Sequence, residues 1–142
     1  MPCIQHVSLA DYQQQNYDLA QVAIRISDSQ ALFGADHPDQ IIHRFIFADA
    51  NEGESGVIVA EQADKIVAIL QEAKAKGYDV VVHCVAGISR SGAVAQFAID
   101  YLGFGDYYAI SEQKCTRIPN LAVSKALRLA YQGETDYEAI FG

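Results

Sequence analysis

The sequence predicts an α/β fold: a single domain, residues 1–142, with a mostly parallel central sheet flanked by helices. Three observations predict it. Short apolar runs at 22–26, 42–47 and 80–84 alternate with segments of helical periodicity. The run at 80–84 leads through 84-CVAGISRSG-92 directly into a helical pattern, a strand–loop–helix passage typical of parallel sheets. With 142 residues, 51% of them hydrophobic, the chain suits one core rather than two.

In chain order, the first core strand is expected at 22–26, VAIRI, and the second at 42–47, IHRFIF. From 57 to 76 the apolar residues Val59, Ala63, Ile66, Val67, Leu70 and Ala73 recur at helical spacing. Glu61 comes early, Lys74 and Lys76 fall in the last turn, and Gly77 is a natural stop. The continuous apolar run at 80–84 reads as a strand buried on both faces. A nearly all-apolar helix is expected over 91–102, ended by Gly103, and a third over 120–132, opened by Pro119 and closed by Gly133. There is no internal repeat, linker-like stretch or low-complexity tract beyond the short run Gln13 to Gln15.

The net charge of −8 argues against a nucleic-acid partner, since ten scattered basic residues form no run to offset the repulsion. No stretch approaches the ~20 apolar residues that span a bilayer. The opening MPCIQHVSLADYQQQ lacks the basic-then-apolar pattern of a secretory leader. Cys3, Cys84 and Cys115 are odd in number and far apart, suggesting neither a disulfide framework nor a zinc site. The expectation is a cytoplasmic protein with no membrane partner, no metal and no cofactor; oligomeric state has no signature in the sequence.

The chemistry concentrates in 84–91. In open α/β sheets ligands bind beyond the carboxyl ends of strands, and a loop entering a helix N-terminus gathers N–H groups that favour an anion. Gly87 lets that loop curl, and Gly92 lets the first helical turn pack closely. Val85, Ala86, Gly87, Ile88, Ser89 and Arg90 would then line a bowl for an oxyanion, with Arg90 offering a planar fork to two of its oxygens. Cys84 would feel the helix dipole, the converging N–H groups and the guanidinium, all favouring a nucleophilic thiolate. Ser91 could hydrogen-bond the sulfur and assist its departure, and His83, pointing away on the strand, could bond the loop and fix its shape. Singly, each has a bland reading: buried cysteine, cap, solvated arginine. Jointly, at fixed spacing in this context, they point to in-line attack on phosphorus through a covalent thiophosphate.

His83-Cys84-x5-Arg90-Ser91, with Gly87 between, resembles the signature of the cysteine-dependent protein tyrosine phosphatases, and VAGISRSG is similar to the small dual-specificity branch. The resemblance covers residues 20–132. FIFADANEG resembles the strand end that delivers the family's general-acid aspartate, and RIPNLAVSKAL its Arg…Pro-Asn segment after the active site. It implies that Asp49 protonates the leaving oxygen, with Asp28, Asp36 and Asp39 as alternatives, a turn with Asn51 being the non-catalytic reading. Asn120 either bonds a loop near the site or caps the last helix. Lys114 and Arg117 read as solvated charges or as pocket flanks, Tyr107, Tyr108 and Phe104 as packing aromatics, and Cys115 as a distant candidate redox partner of Cys84.

The implied activity is hydrolysis of phosphotyrosine, and of phosphoserine or phosphothreonine, in a phosphorylated protein or peptide. The alternatives are a non-protein phosphomonoester, such as a phosphoinositide or nucleotide, and a catalytically weak phosphate-binding interaction module. Apolar Val85, Ala86 and Ile88 stand where the superfamily's lipid phosphatases carry lysines, which lowers the phosphoinositide alternative.

Overall fold

The computed structural model describes residues 1–133; the last part of the expected domain, residues 134–142, lies outside the described residues. Five strands form one sheet: β1 (Cys3–Ser8), β2 (Val22–Ser27), β3 (Ile41–Ile46), β4 (Val80–Cys84) and β5 (Gly105–Asp106). Their spatial order is β3-β2-β4-β1-β5, and every pairing is parallel. The connecting helices are α1 (Leu9–Gln13), α2 (Ala60–Lys76), α3 (Arg90–Leu102), α4 (Tyr107–Ser111) and α5 (Leu121–Gln132). The expected α/β class therefore holds, with a sheet that is wholly parallel among the described residues. No helix there is long and apolar enough to cross a membrane.

Parallel sheets need cover on both faces, and the side chains of β4 show why it sits centrally: all five of its residues are buried. On one face Ile4, Ile24, Val80 and Val82 pack under α2, α3 and α5, which contribute Ile66, Leu70, Val94, Phe97, Val123 and Leu127. Burying each large aliphatic or aromatic side chain there contributes ~1.5–3 kcal/mol. On the other face Val7, Ala23 and Val81 pack against Tyr12 of α1 and Ala20. Helix ends follow the expected chemistry: Val59 N–H donates to Gln62 Oε1 (3.1 Å) before α2, and Gly77 (φ +71°) and Gly103 (φ +75°) close α2 and α3.

The expectation that the core begins at Val22 is corrected by β1, which lies between β4 and β5. Its period-2 pattern is masked because two buried positions are polar, Gln5 and His6, at 5% and 2% exposure. Both are satisfied: Gln5 Nε2 donates to Asp18 C=O (2.7 Å), and His6 has partners described below.

Arg25 of β2 is wholly buried. Its Nε donates to His83 Nε2 (3.0 Å), its other nitrogens to Asp36 and the Phe33 carbonyl, and its guanidinium lies 4.5 Å from the Tyr12 ring centroid. A buried cation persists only when its donors are filled in this way. The result pins the 28–40 loop against the sheet.

Candidate active site

The register sets Ser8 beside Cys84 and Ser27 beside Ile46, so the carboxyl ends of β1 to β4 share one rim. There β2 delivers Asp28, β3 delivers Asp49, and β4 delivers the 84–90 loop, which ends in α3. Gly87 has φ +74°, and a Cβ on it would lie 2.4 Å from Ser8 N and 2.5 Å from the Val7 carbonyl carbon. The loop rests directly on the end of β1, and only glycine permits both the turn and the contact.

The loop's carbonyls are held outward. Val85 C=O accepts from Leu9 N–H (3.2 Å), Gly87 C=O from His6 Nδ1 (2.7 Å), Ile88 C=O from Ile118 N–H (3.2 Å), and Ser89 C=O from Ala93 and Asn120 N–H (2.9 and 3.0 Å). In a trans peptide the next N–H points opposite to the carbonyl. The N–H groups of Ala86, Ile88, Ser89 and Arg90 therefore turn to the inner side of the loop, a concave array of donors of the kind that suits an anion.

Cys84, 2% exposed, lies with its Sγ 3.2 Å from Ser91 Oγ. Burial raises its pKa, but the Ser91 hydroxyl, the N–H groups of Ser91 and Gly87 and the Arg90 guanidinium outweigh burial and hold the thiol below its ordinary value. Arg90 Nη1 donates to Phe47 C=O (2.8 Å) and to Asp28 Oδ1 (3.1 Å). Its Nε is buried and has no hydrogen-bond partner among the described residues, a donor that an oxyanion would satisfy.

Asp49 Oδ1 accepts from Ser89 Oγ and Asn120 Nδ2, both at 2.8 Å, which ties the β3 rim to the 84–90 loop. Asn120 fills both of its expected alternatives at once: Oδ1 accepts from Val123 N–H (2.9 Å) as the α5 cap, while Nδ2 also reaches Ala50 C=O (3.0 Å). Of the other aspartates, Asp28 pairs with Arg90, Asp36 pairs with Arg25 and Arg44, and Asp39 lies exposed in its loop.

His83 Nε2 accepts from Arg25 Nε (3.0 Å), and its ring also feels the backbone of Cys84, where the loop begins. Burial, then the charges of Arg25 and Arg90, lower its pKa to about 4, so it stays a neutral acceptor. One expectation is corrected: Arg117 is not a solvated charge. It donates to both oxygens of Asp106 (3.1 and 3.0 Å), to Gln96 and to His6 Nε2 (3.0 Å), and its side chain is 12% exposed. Gly92 leaves it room, since a Cβ there would sit 3.2 Å from Arg117 Cγ.

His6 is the residue beside the loop that the sequence reading missed, and Arg117, read there as a solvated charge or a pocket flank, is the side chain that reaches it. The signal was a histidine near the end of a short alternating segment, CIQHVS, level with the motif strand. Phe104 is buried, and Tyr108 packs its ring against His6 and donates its hydroxyl to His6 C=O (2.6 Å), as packing aromatics do. All three cysteines are free, and Cys115 is exposed on a cavity of about 280 Å³ that also touches Ala86, Gly87 and Ile88. Among the described residues no cluster of three or more His, Cys, Asp or Glu side chains is arranged to hold a metal ion.

No family model matches the chain, and no curated protein matches it in sequence. Solved structures do match in shape. Human DUSP28 aligns with a TM-score of 0.63 at 17% identity, over 96% of this chain and 96% of that one. The human tyrosine phosphatase-like serine/threonine/tyrosine-interacting protein aligns with a TM-score of 0.61 at 18% identity, over 99% and 94%. OH1 of Orf virus, a tyrosine phosphatase with triple substrate specificity, aligns with a TM-score of 0.59 at 15% identity, over 91% and 82%. With its parallel sheet and the 84–90 loop between β4 and α3, the chain has the fold of the cysteine-dependent tyrosine phosphatases, in the small form of the dual-specificity phosphatases.

Proposed function

We propose that the chain is a phosphomonoesterase that hydrolyses phosphotyrosine, and phosphoserine or phosphothreonine, in proteins or peptides through a cysteinyl-phosphate. The observation that carries this reading is the acidified, buried Cys84 thiol under a nest of inward N–H groups beside the unpartnered Arg90 Nε. Cys84 Sγ attacks phosphorus in line, and the S–P bond forms as the P–O bond to the leaving group breaks. The loop N–H groups and Arg90 hold the equatorial oxygens, where charge builds in the transition state. Asp49 gives its proton to the leaving oxygen, then takes one from the water that attacks phosphorus and releases Cys84. Ser91 Oγ, at 3.2 Å, donates to the departing sulfur. The thiolate and guanidinium supply nucleophile and charge stabilisation, so the reaction needs no metal.

Ser89 and Asn120 hold Asp49 on the rim by one oxygen, which supports its role as the acid over Asp28, already paired with Arg90. Asp49→Ala is expected to lower kcat on phenyl phosphate by ~10²–10⁴-fold, the usual worth of a positioned general acid. The loss should shrink in single-turnover measurements with a better leaving group. Equal losses for good and poor leaving groups would move the acid to another residue.

Breadth of substrate follows from the rim. A strict tyrosine enzyme needs raised walls to grip the ring, whereas here the 28–40 loop is drawn down onto the sheet by fully buried Phe33 and by the Asp36 pairs. The triple specificity of OH1 accords with a broad reading for this chain as well. The test is kcat/KM on an aryl phosphate and on matched phosphotyrosine and phosphothreonine peptides. Hydrolysis of all three is expected, with tyrosine favoured because phenoxide leaves more readily. A tyrosine preference above about 10⁴, some 5 kcal/mol, would refute dual specificity, and no turnover of any would refute the phosphatase reading.

A further inference from the structure

Four of the loop carbonyls have outward partners, and three of these carbonyls, those of Val85, Ile88 and Ser89, are held by backbone N–H groups. The fourth, Gly87 C=O, is held by a side chain, His6 Nδ1 at 2.7 Å. Gly87 is the one loop residue in the left-handed region, φ +74°, so its following peptide is the least constrained by ordinary backbone preference. That peptide carries the Ile88 N–H. With the carbonyl drawn down to His6, the N–H must face the other way, into the phosphate nest.

The histidine can act only in one tautomer. Arg117 Nε donates to His6 Nε2 at 3.0 Å, so Nε2 is the acceptor and the proton of the neutral ring sits on Nδ1, where Gly87 C=O needs it. Arg117 is held in turn by both oxygens of Asp106 and by Gln96. Tyr108 packs edge-on against the ring and fixes its plane. Burial, together with the neighbouring Arg117 charge, holds the His6 pKa below its ordinary value against the opposing influences of Gly87 C=O and Asp106.

We infer that His6 is a positioning residue for the phosphate site: with its tautomer set by Arg117, it holds the Gly87 carbonyl and thereby aims the Ile88 N–H at the bound oxyanion. The residue touches neither nucleophile nor phosphate; it acts through one peptide plane. The inference deepens the phosphatase reading, but its readout is affinity for inorganic phosphate, so a wild-type chain without turnover would count against that reading alone.

Two polar replacements separate positioning from mere packing. Asparagine places an amide N–H near where Nδ1 sits, whereas glutamine reaches the Nε2 position and leaves Gly87 C=O without its donor. In calorimetric titration of the full chain with inorganic phosphate, His6→Gln is expected to weaken binding roughly tenfold, the worth of one well-made hydrogen bond. His6→Asn should stay within about threefold of wild type, and kcat/KM on an aryl phosphate should follow the same order. Equal affinity for wild type and His6→Gln would overturn the inference. So would equal losses in the two variants, since a purely structural role predicts no difference between them. Should His6→Gln fail to fold, Arg117→Met keeps His6 but removes the donor to its Nε2 and so releases its tautomer. Weakened phosphate binding, with ¹⁵N spectra showing a mixture of His6 tautomers, is then expected. A single Nδ1–H tautomer with unchanged affinity would contradict it.

Discussion

Cys84→Ser is expected to abolish hydrolysis of aryl phosphates, a loss on the order of 10⁴–10⁶-fold, while inorganic phosphate still binds. A serine hydroxyl in this place stays protonated near neutral pH. The Ser91 hydroxyl, two backbone N–H groups and Arg90 lower the pKa of the Cys84 thiol against burial, but the same influences cannot ionise an alcohol many pKa units weaker. The nest and Arg90 remain in place, because the carbonyl anchors at Leu9, His6, Ile118 and Asn120 do not involve the sulfur. Steady-state rates and phosphate titration of the same preparation check both halves. Activity within tenfold of wild type would remove Cys84 as nucleophile, and loss of phosphate affinity alongside activity would mean that the substitution disrupts the loop.

Arg90→Lys is expected to lower kcat/KM by on the order of 10³-fold although the charge is kept. One nitrogen of Arg90 is already committed to Phe47 C=O and Asp28, which anchors the guanidinium plane and leaves Nε directed elsewhere. A lysine ammonium can satisfy the anchors or the phosphate, but its single nitrogen cannot hold both in a planar fork. Unaltered kcat/KM in Arg90→Lys would show that Arg90 does not clamp the substrate.

The parts of this site legible in the sequence are those built from contiguous residues. β4, the 84–90 loop and α3 announce themselves because a buried parallel strand is a continuous apolar run and the loop chemistry follows at once. α2 is equally plain, since one face carries its apolar residues and Gly77 stops it. What escaped is what depends on distant pairing. β1 hides because Gln5 and His6 look solvent-facing, and only the Asp18 carbonyl, Gly87 and Arg117 make them burial-competent. Arg25 looks like an edge-strand charge until Tyr12, Asp36 and His83 close around it. Arg117 looks like surface until Asp106 and His6 take its donors. The double role of Asn120 depends on Asp49, 71 positions away, so cap and loop contact read as rivals when one side chain serves both.

A covalent phosphoryl group on Cys84 is the claim on which the rest depends, and acid quenching tests it most directly. Asp49→Ala mixed with an aryl phosphate bearing a good leaving group should form the thiophosphate but hydrolyse it slowly, since the residue that activates water is missing. Peptide mapping by mass spectrometry after the quench should find one phosphoryl group on the peptide containing Cys84, with a stoichiometric burst of phenolate. Hydrolysis that proceeds with Cys84 unmodified and no burst, or a phosphoryl group on any other residue, would contradict it.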